Sequence, residues 1–279
     1  MANFEFKHHK IYYEVYGQGK PLLILNGIMM STASWQMFIS SFSQHNQLIL
    51  MDMLDQGQSS KLVDQEYNQK VQVEVVKALI DHLHLKNLAL FGISYGGEVA
   101  MQVAIQHQHI VERLLLFNTT AYTNDWLKEI GHAWNLASTN AEAYYGTTIP
   151  VIYSSNFYEN KREWMTRRKE ILLKIFANPD FAQAMVRLTN SANDLDVRKQ
   201  LHKIQCPCLI VGSEEDAITP LSHQRYLHEQ IKGSQLVVVP GSGHASMYEK
   251  PMLFSSLVLG FVLSEVIPDV YNVHIKVIF

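Results

Sequence analysis

Short apolar runs separated by longer amphipathic segments fill the first 120 residues. Residues 11–16 and 22–25 read as strands joined by the turn Gly17-Gln18-Gly19-Lys20-Pro21, and 48–51 reads as the next strand. Val76, Leu79, Ile80 and Leu83 fall at i, i+3, i+4 and i+7, the spacing of one buried helix stripe. Residues 88–91 and 111–117 are further apolar strands, separated by a helix-like run that starts near Tyr95. Strands alternating with helices require parallel pairing through right-handed crossovers. The expected architecture is therefore α/β, a mostly parallel central sheet with helices on both faces. Ligands of such sheets collect at the carboxyl ends of the strands.

The pattern changes over 121–203, a helix-like stretch rich in Trp, Tyr, Lys and Arg without a convincing strand. Alternation resumes with a strand at 208–211, a helix after Pro220, a strand at 236–239 and a last helix from about Met247. This reads as an α/β core built from 1–120 and 204–268, interrupted by a helical cap at 121–203. The tail 269–279 alternates apolar and polar residues like a strand that covers a sheet edge or adds to a neighbour's sheet.

Composition narrows the picture. A chain of 279 residues buries a large core without staples. The formal charge of −3 gives no basic face for a nucleic acid. The two cysteines, Cys206 and Cys208, flank Pro207; they match no zinc spacing and read as core residues of a strand. Residues 1–10 hold no apolar leader segment, and the apolar stretch 253–263 is too short to span a bilayer. The expectation is a soluble, cytoplasmic protein, monomer or homodimer, with no membrane partner and no nucleic acid.

The candidate chemistry begins at Gly92-Ile93-Ser94-Tyr95-Gly96, between a buried strand and a helix. A G-x-S-x-G run at that junction makes a tight turn that lifts the serine hydroxyl above the sheet rim. A serine needs a base within hydrogen-bond reach. Among 13 histidines, His244 stands out, on the glycine-rich loop Gly241-Ser242-Gly243-His244 after the strand 236–239. The base in turn needs an acid to orient it. The loop after 209–211 offers Glu214, Glu215 and Asp216, with Asp216 preferred and Glu215 the runner-up.

With the order Ser94, Asp216, His244, the chain resembles the α/β-hydrolases with a helical cap, over nearly its whole length to about Pro268. The marks are the elbow Gly92-Ile93-Ser94-Tyr95-Gly96-Gly97, the acid loop ending in Pro220, and the histidine loop followed by Glu249-Lys250-Pro251. Counting back four residues from Pro220 picks Asp216; counting three on from Gly212 picks Glu215. The resemblance implies an oxyanion hole from the backbone N–H groups of Ile28 and Tyr95. Two segments depart from the family pattern. Asn26-Gly27 stands where His-Gly is usual, and Asp52-Met53-Leu54-Asp55-Gln56-Gly57-Gln58-Ser59 replaces Asp-x-Arg-Gly-His-Gly-x-Ser. The Asn26 amide is expected to hold its loop by hydrogen bonds, and Asp52 to serve as a turn or capping residue.

The implied reaction is hydrolysis of a small to medium carboxylic ester or thioester through an acyl-enzyme, with neither a metal nor a cofactor. A carbon–carbon hydrolase, a lactonase or a lyase would use the same triad, and a ligand-binding protein on the same fold is the alternative of another class. Met29, Met30, Trp35, Tyr122, Trp126, Trp134, Tyr144 and Tyr145 are available to line an acyl pocket, although most such aromatics pack in cores. The basic run at 161–169 reads as a solvated helix face, with recognition of an acidic substrate or a coenzyme A tail as the alternative.

Overall fold

A computed structural model describes residues 2–264, so the strand-like tail at 269–279 lies outside the described residues. Eight strands form one sheet: β1 (Ala2–Phe6), β2 (His9–Tyr16), β3 (Lys20–Leu25), β4 (Asn46–Met51), β5 (Leu88–Ile93), β6 (Val111–Phe117), β7 (Cys208–Ser213) and β8 (Gln235–Val239). Their order is β1-β2-β4-β3-β5-β6-β7-β8. The β1–β2 and β2–β4 pairs are antiparallel, and every pair from β4 onward is parallel. The expected strands are present. β1 is an addition to the expected strands, since residues 2–6 alternate between half-buried and exposed without a buried apolar run. Its turn explains the miss: Lys7 and His8 take φ of 45° and 69°, the left-handed pair of a two-residue hairpin, without the Asn-Gly signature.

The helices are α1 (Ile39–Phe42), α2 (Gln69–His82), α3 (Tyr95–Gln106), α4 (Asp125–Ala137), α5 (Ala141–Ile152), α6 (Ser155–Asn160), α7 (Arg162–Phe176), α8 (Pro179–Ser191), α9 (Leu221–Gln230), α10 (Ser246–Glu249) and α11 (Pro251–Leu263). Alternation along the central strands sends side chains to two cores. Leu23, Leu25, Leu90, Leu114 and Ile210 pack with Val73, Val76 and Val99 of α2 and α3. Leu22, Ile24, Phe91, Phe117 and Val211 face the other way, onto Trp35, Phe38, Phe42, Phe254 and Val258. Both faces are covered, so β5 and β7 are buried along their whole length, which is why they read as unbroken apolar runs.

Helices α4 to α8 all fall between β6 and β7, within the stretch expected to be helical. Their starts are set locally. The side chains of Asn124, Asn140, Ser154 and Asn178 each accept a backbone N–H in the first turn of α4, α5, α6 and α8, satisfying donors the helix leaves unpaired. Long-range polar contacts tie this helical block to the core. Arg187 of α8 makes a two-pronged ion pair with the fully buried Asp55 carboxylate, at 2.6 and 3.0 Å. The Glu249 carboxylate accepts from the Ser154 N–H and hydroxyl and from the Gly243 N–H.

Phe254 sits at the centre of an aromatic cluster, with ring centroids 5.1 to 6.2 Å from those of Phe117, Phe38, Phe91 and Trp35. Phe254→Ala is expected to lower unfolding free energy by about 3–5 kcal/mol in urea titrations. Met252→Ala on the same helix, at a side chain 80% exposed, should change it by no more than about 0.5 kcal/mol.

Candidate active site

Ser94 joins β5 to α3 with φ 52° and ψ −124°, a conformation that a residue bearing a Cβ rarely adopts. Several bonds hold it there. Its N–H donates to the Phe117 carbonyl, and its carbonyl accepts from the Thr119 hydroxyl and from the N–H groups of Gly97 and Glu98. The two motif glycines are required by close approach. A Cβ on Gly92 would meet the Gly96 carbonyl oxygen at 2.3 Å, and one on Gly96 would meet the Leu25 carbonyl oxygen at 2.2 Å. The turn therefore closes only if both positions are bare. Tyr95 is the first residue of α3, so its N–H has no partner inside the helix and belongs to the helix's positive end.

The structure brings all three predicted side chains together from three loops at the sheet rim. His244 Nε2 lies 2.9 Å from Ser94 Oγ, and His244 Nδ1 lies 2.8 Å from Asp216 Oδ2. An ionised carboxylate only accepts, so the proton sits on Nδ1 and leaves Nε2 free to accept the serine O–H. Glu215, the runner-up, is exposed; the buried carboxyl of this loop is Asp216. Asp216 Oδ1 accepts the N–H groups of Ile218 and Thr219, and Oδ2 also accepts from the Thr219 hydroxyl and the Asn118 amide. Burial alone would raise this carboxyl, but the His244 charge and these donors together hold it below the usual aspartate value.

Asn118 was not singled out by sequence reasoning. It follows β6 with φ 46°, fully buried, and also donates to Ser213 while accepting from Ser246. A buried Asn-Thr-Thr run directly after an apolar strand was the available signal. The two departures from the family pattern meet one another. Asn26 donates to the Gln56 side chain at 3.3 Å and to the Met51 carbonyl at 2.8 Å, and accepts from the Trp35 indole at 2.7 Å. Gln56 in turn donates to the Gly27 carbonyl at 3.0 Å. Asn26 thus holds the loop carrying Ile28, as expected. Asp52 accepts the N–H groups of Thr32 and Gln58, a loop-capping role that also matches expectation.

A cavity of about 160 Å³ opens on Ser94 and His244, with Gly27, Ile28 and Tyr95 also in its wall. Leu127, Ile130 and Trp134 of α4, Ile149 and Ile152 of α5, and Leu172 and Phe176 of α7 close its far side. Of the eight residues available for lining, Met29, Met30 and Trp134 reach it. Trp35 lies in the core beneath the sheet, Tyr122 stacks on His223, Trp126 is exposed, and Tyr144 and Tyr145 are buried among the inserted helices. The basic run is also only partly solvated. Arg162 and Arg167 are exposed and Lys169 pairs with Glu142, but Arg168 turns into the cavity wall. Cys206 and Cys208 are free thiols, the second fully buried at the start of β7, in keeping with a core role. Among the described residues no helix is long and apolar enough to cross a membrane.

The family model for the alpha/beta hydrolase fold matches residues 20–251, and the chain belongs to that family. The hydrolase names borne by its relatives make it an enzyme with hydrolase activity. A crystal structure of MGS-M2, an alpha/beta hydrolase enzyme from a Medee basin deep-sea metagenome library, is 43% identical, with a TM-score of 0.94 over 98% of this chain and 100% of that one. Est816, described as an N-acyl homoserine lactone degrading enzyme, is 26% identical with a TM-score of 0.81, covering 93% of this chain and 100% of its own. The 2-hydroxymuconate semialdehyde hydrolase of Pseudomonas sp. (strain CF600) is 24% identical over 88% of each chain.

Glu98, one turn into α3, also lines the cavity and is bound by Gln69, itself held by Gln102. Burial pushes its carboxyl from 4.5 up to about 7, against the lowering effects of the Gln69 bond and the His244 charge. The folded protein therefore favours the protonated acid. The penalty is absent below about pH 4.5, grows as pH rises, and is complete above pH 7, at about 3 kcal/mol. Glu98→Gln is expected to remove this component. Urea unfolding at pH 5 and pH 8 should show the variant gaining on the wild type as pH rises.

Proposed function

We propose that the protein is a serine hydrolase of small to medium carboxylic esters or thioesters, acting through an acyl-enzyme. The observation that carries this reading is the continuous chain of hydrogen-bond contacts from Asp216 through His244 to Ser94 at the mouth of an apolar cavity. Ser94 attacks the carbonyl carbon as His244 Nε2 takes its proton. Asp216, already paired with Nδ1, stabilises the imidazolium that forms. The N–H groups of Ile28 and Tyr95 take the oxyanion, and each such donor is worth about 10²–10³ in rate. His244 then returns the proton to the leaving group and activates the water that releases the acid.

Cavity size limits the substrate part that fits beside the nucleophile. An apolar cavity of about 150 Å³ holds a benzene-sized group, so a short or compact acyl chain suits this one. The helical block α4–α8 acts as the cap that excludes water from the acyl-enzyme. Lactones, as internal esters, fall within the same chemistry, and the resemblance to a lactone-degrading enzyme supports that second reading.

A fluorophosphonate probe should label the wild type and leave Ser94→Ala unlabelled; labelling retained in the variant, or none in either, overturns the reading. Asp216→Asn keeps the shape but favours the wrong imidazole tautomer. It is expected to lower kcat on p-nitrophenyl butyrate about 10⁴-fold.

A further inference from the structure

Among the described residues, Arg168 is a cation without a counter-ion, in the wall of the cavity at Ser94. Its guanidinium carbon lies 4.3 Å from the ring centroid of Tyr248 and 5.3 Å from that of Trp164. Its Nε is buried with no hydrogen-bond partner, as is the hydroxyl of the neighbouring Tyr153. Among the described residues no carboxylate stands within ion-pairing distance of it, whereas Arg187 and Arg198 each hold an aspartate and Lys169 a glutamate. Partial withdrawal of a guanidinium from water carries a desolvation cost, which contact with aromatic rings offsets only in part.

Most other side chains lining the cavity are apolar, and Arg168 is the only Arg or Lys among the described residues that line it. Glu98, the only acid among the described residues that line it, is driven toward its neutral form by burial and does not cancel that charge. The Tyr248 and Trp164 rings, 6.0 Å apart, both lie against the guanidinium, and an arginine fork without a carboxylate suits a planar anion. A helix face meant only for solvent would not turn one of its basic residues inward onto two rings.

We propose that Arg168 binds a carboxylate carried by the substrate, so that the preferred substrates are half-esters or similar acyl compounds with one anionic group remote from the scissile bond. This deepens the ester-hydrolase reading, which supplies the position of the reacting carbonyl at Ser94. The anion is held by α7 and Tyr248 while Ser94 and His244 address the ester. Compact dicarboxylic half-esters match both the cavity's volume and its single positive charge.

The test uses the Ser94→Ala protein, in which binding needs no nucleophile, titrated calorimetrically with monomethyl succinate and with dimethyl succinate. The half-ester should bind at least 10-fold more tightly than the diester. Adding Arg168→Met should abolish that preference, a loss of about 10-fold or more, as expected for a charged hydrogen-bonded pair. Arg168→Lys, which keeps the charge without the fork, should fall between them and guards against a Met variant that folds poorly. No preference for the half-ester in the Ser94→Ala protein, or a preference that survives both Arg168 replacements, overturns the proposal. In the enzyme with Ser94 present, the loss for the half-ester should appear in KM rather than kcat. Failure of fluorophosphonate labelling would count against the nucleophile alone and leave this binding result standing.

Discussion

The site depends on a contact that contains no side chain. Gly96 lies so close to the end of β3 that a single added carbon would collide with the carbonyls of Leu25 and Asn26. Because that approach is allowed, α3 starts directly over the ends of β3 and β5. Ser94 is then forced to φ 52°, and the first N–H of the helix is left free beside its hydroxyl. The loop carrying Ile28 leaves β3 at the same place, so one close approach sets the nucleophile and both proposed oxyanion donors.

Around that turn, each catalytic candidate is held by a second layer of polar groups rather than by its own backbone. Asp216 is buried, yet five donors including His244 keep it ionised. Asn118 links it to Ser213 and Ser246, on the strands and loops that carry the acid and the base. The Asn26–Gln56 pair does the same for the oxyanion loop, with two amides bonding where the family pattern has two histidines. Neutral amides form these bonds at any ordinary pH. The Asn26–Gln56 link is thus independent of protonation.

The inserted helices serve the core by covering it and by supplying part of the cavity wall. Their attachment is polar and specific, through Arg187 to Asp55 and through Glu249 to Ser154 and Gly243. The second of these also grips the loop of His244. Positions of His244 and of the inserted helices are therefore coupled, since Ala245 donates its N–H to the Ile152 carbonyl at the end of α5. The proposed anion subsite and the proposed base share this seam: Tyr248, four residues after His244, stacks on Arg168.

The chain's own pattern determined the alternation of strands and helices, the two-faced sheet, the elbow and its glycines, and His244 on a rim loop. These rest on local rules of period, turn chemistry and steric room, which a string of residues displays. Tertiary structure decided the rest. Asp216 and Glu215 are neighbours of similar chemistry, and only the direction of the loop puts one in a nest of donors and the other in water. Trp35 and Trp134 look alike in sequence, but one fills the core beneath the sheet and the other the cavity. Arg167 and Arg168 are adjacent on one helix, where a rotation of about 100° per residue separates solvent from cavity. Which side faced inward depended on how α7 packed against the loop after His244, a contact between segments some 80 residues apart that no local pattern records.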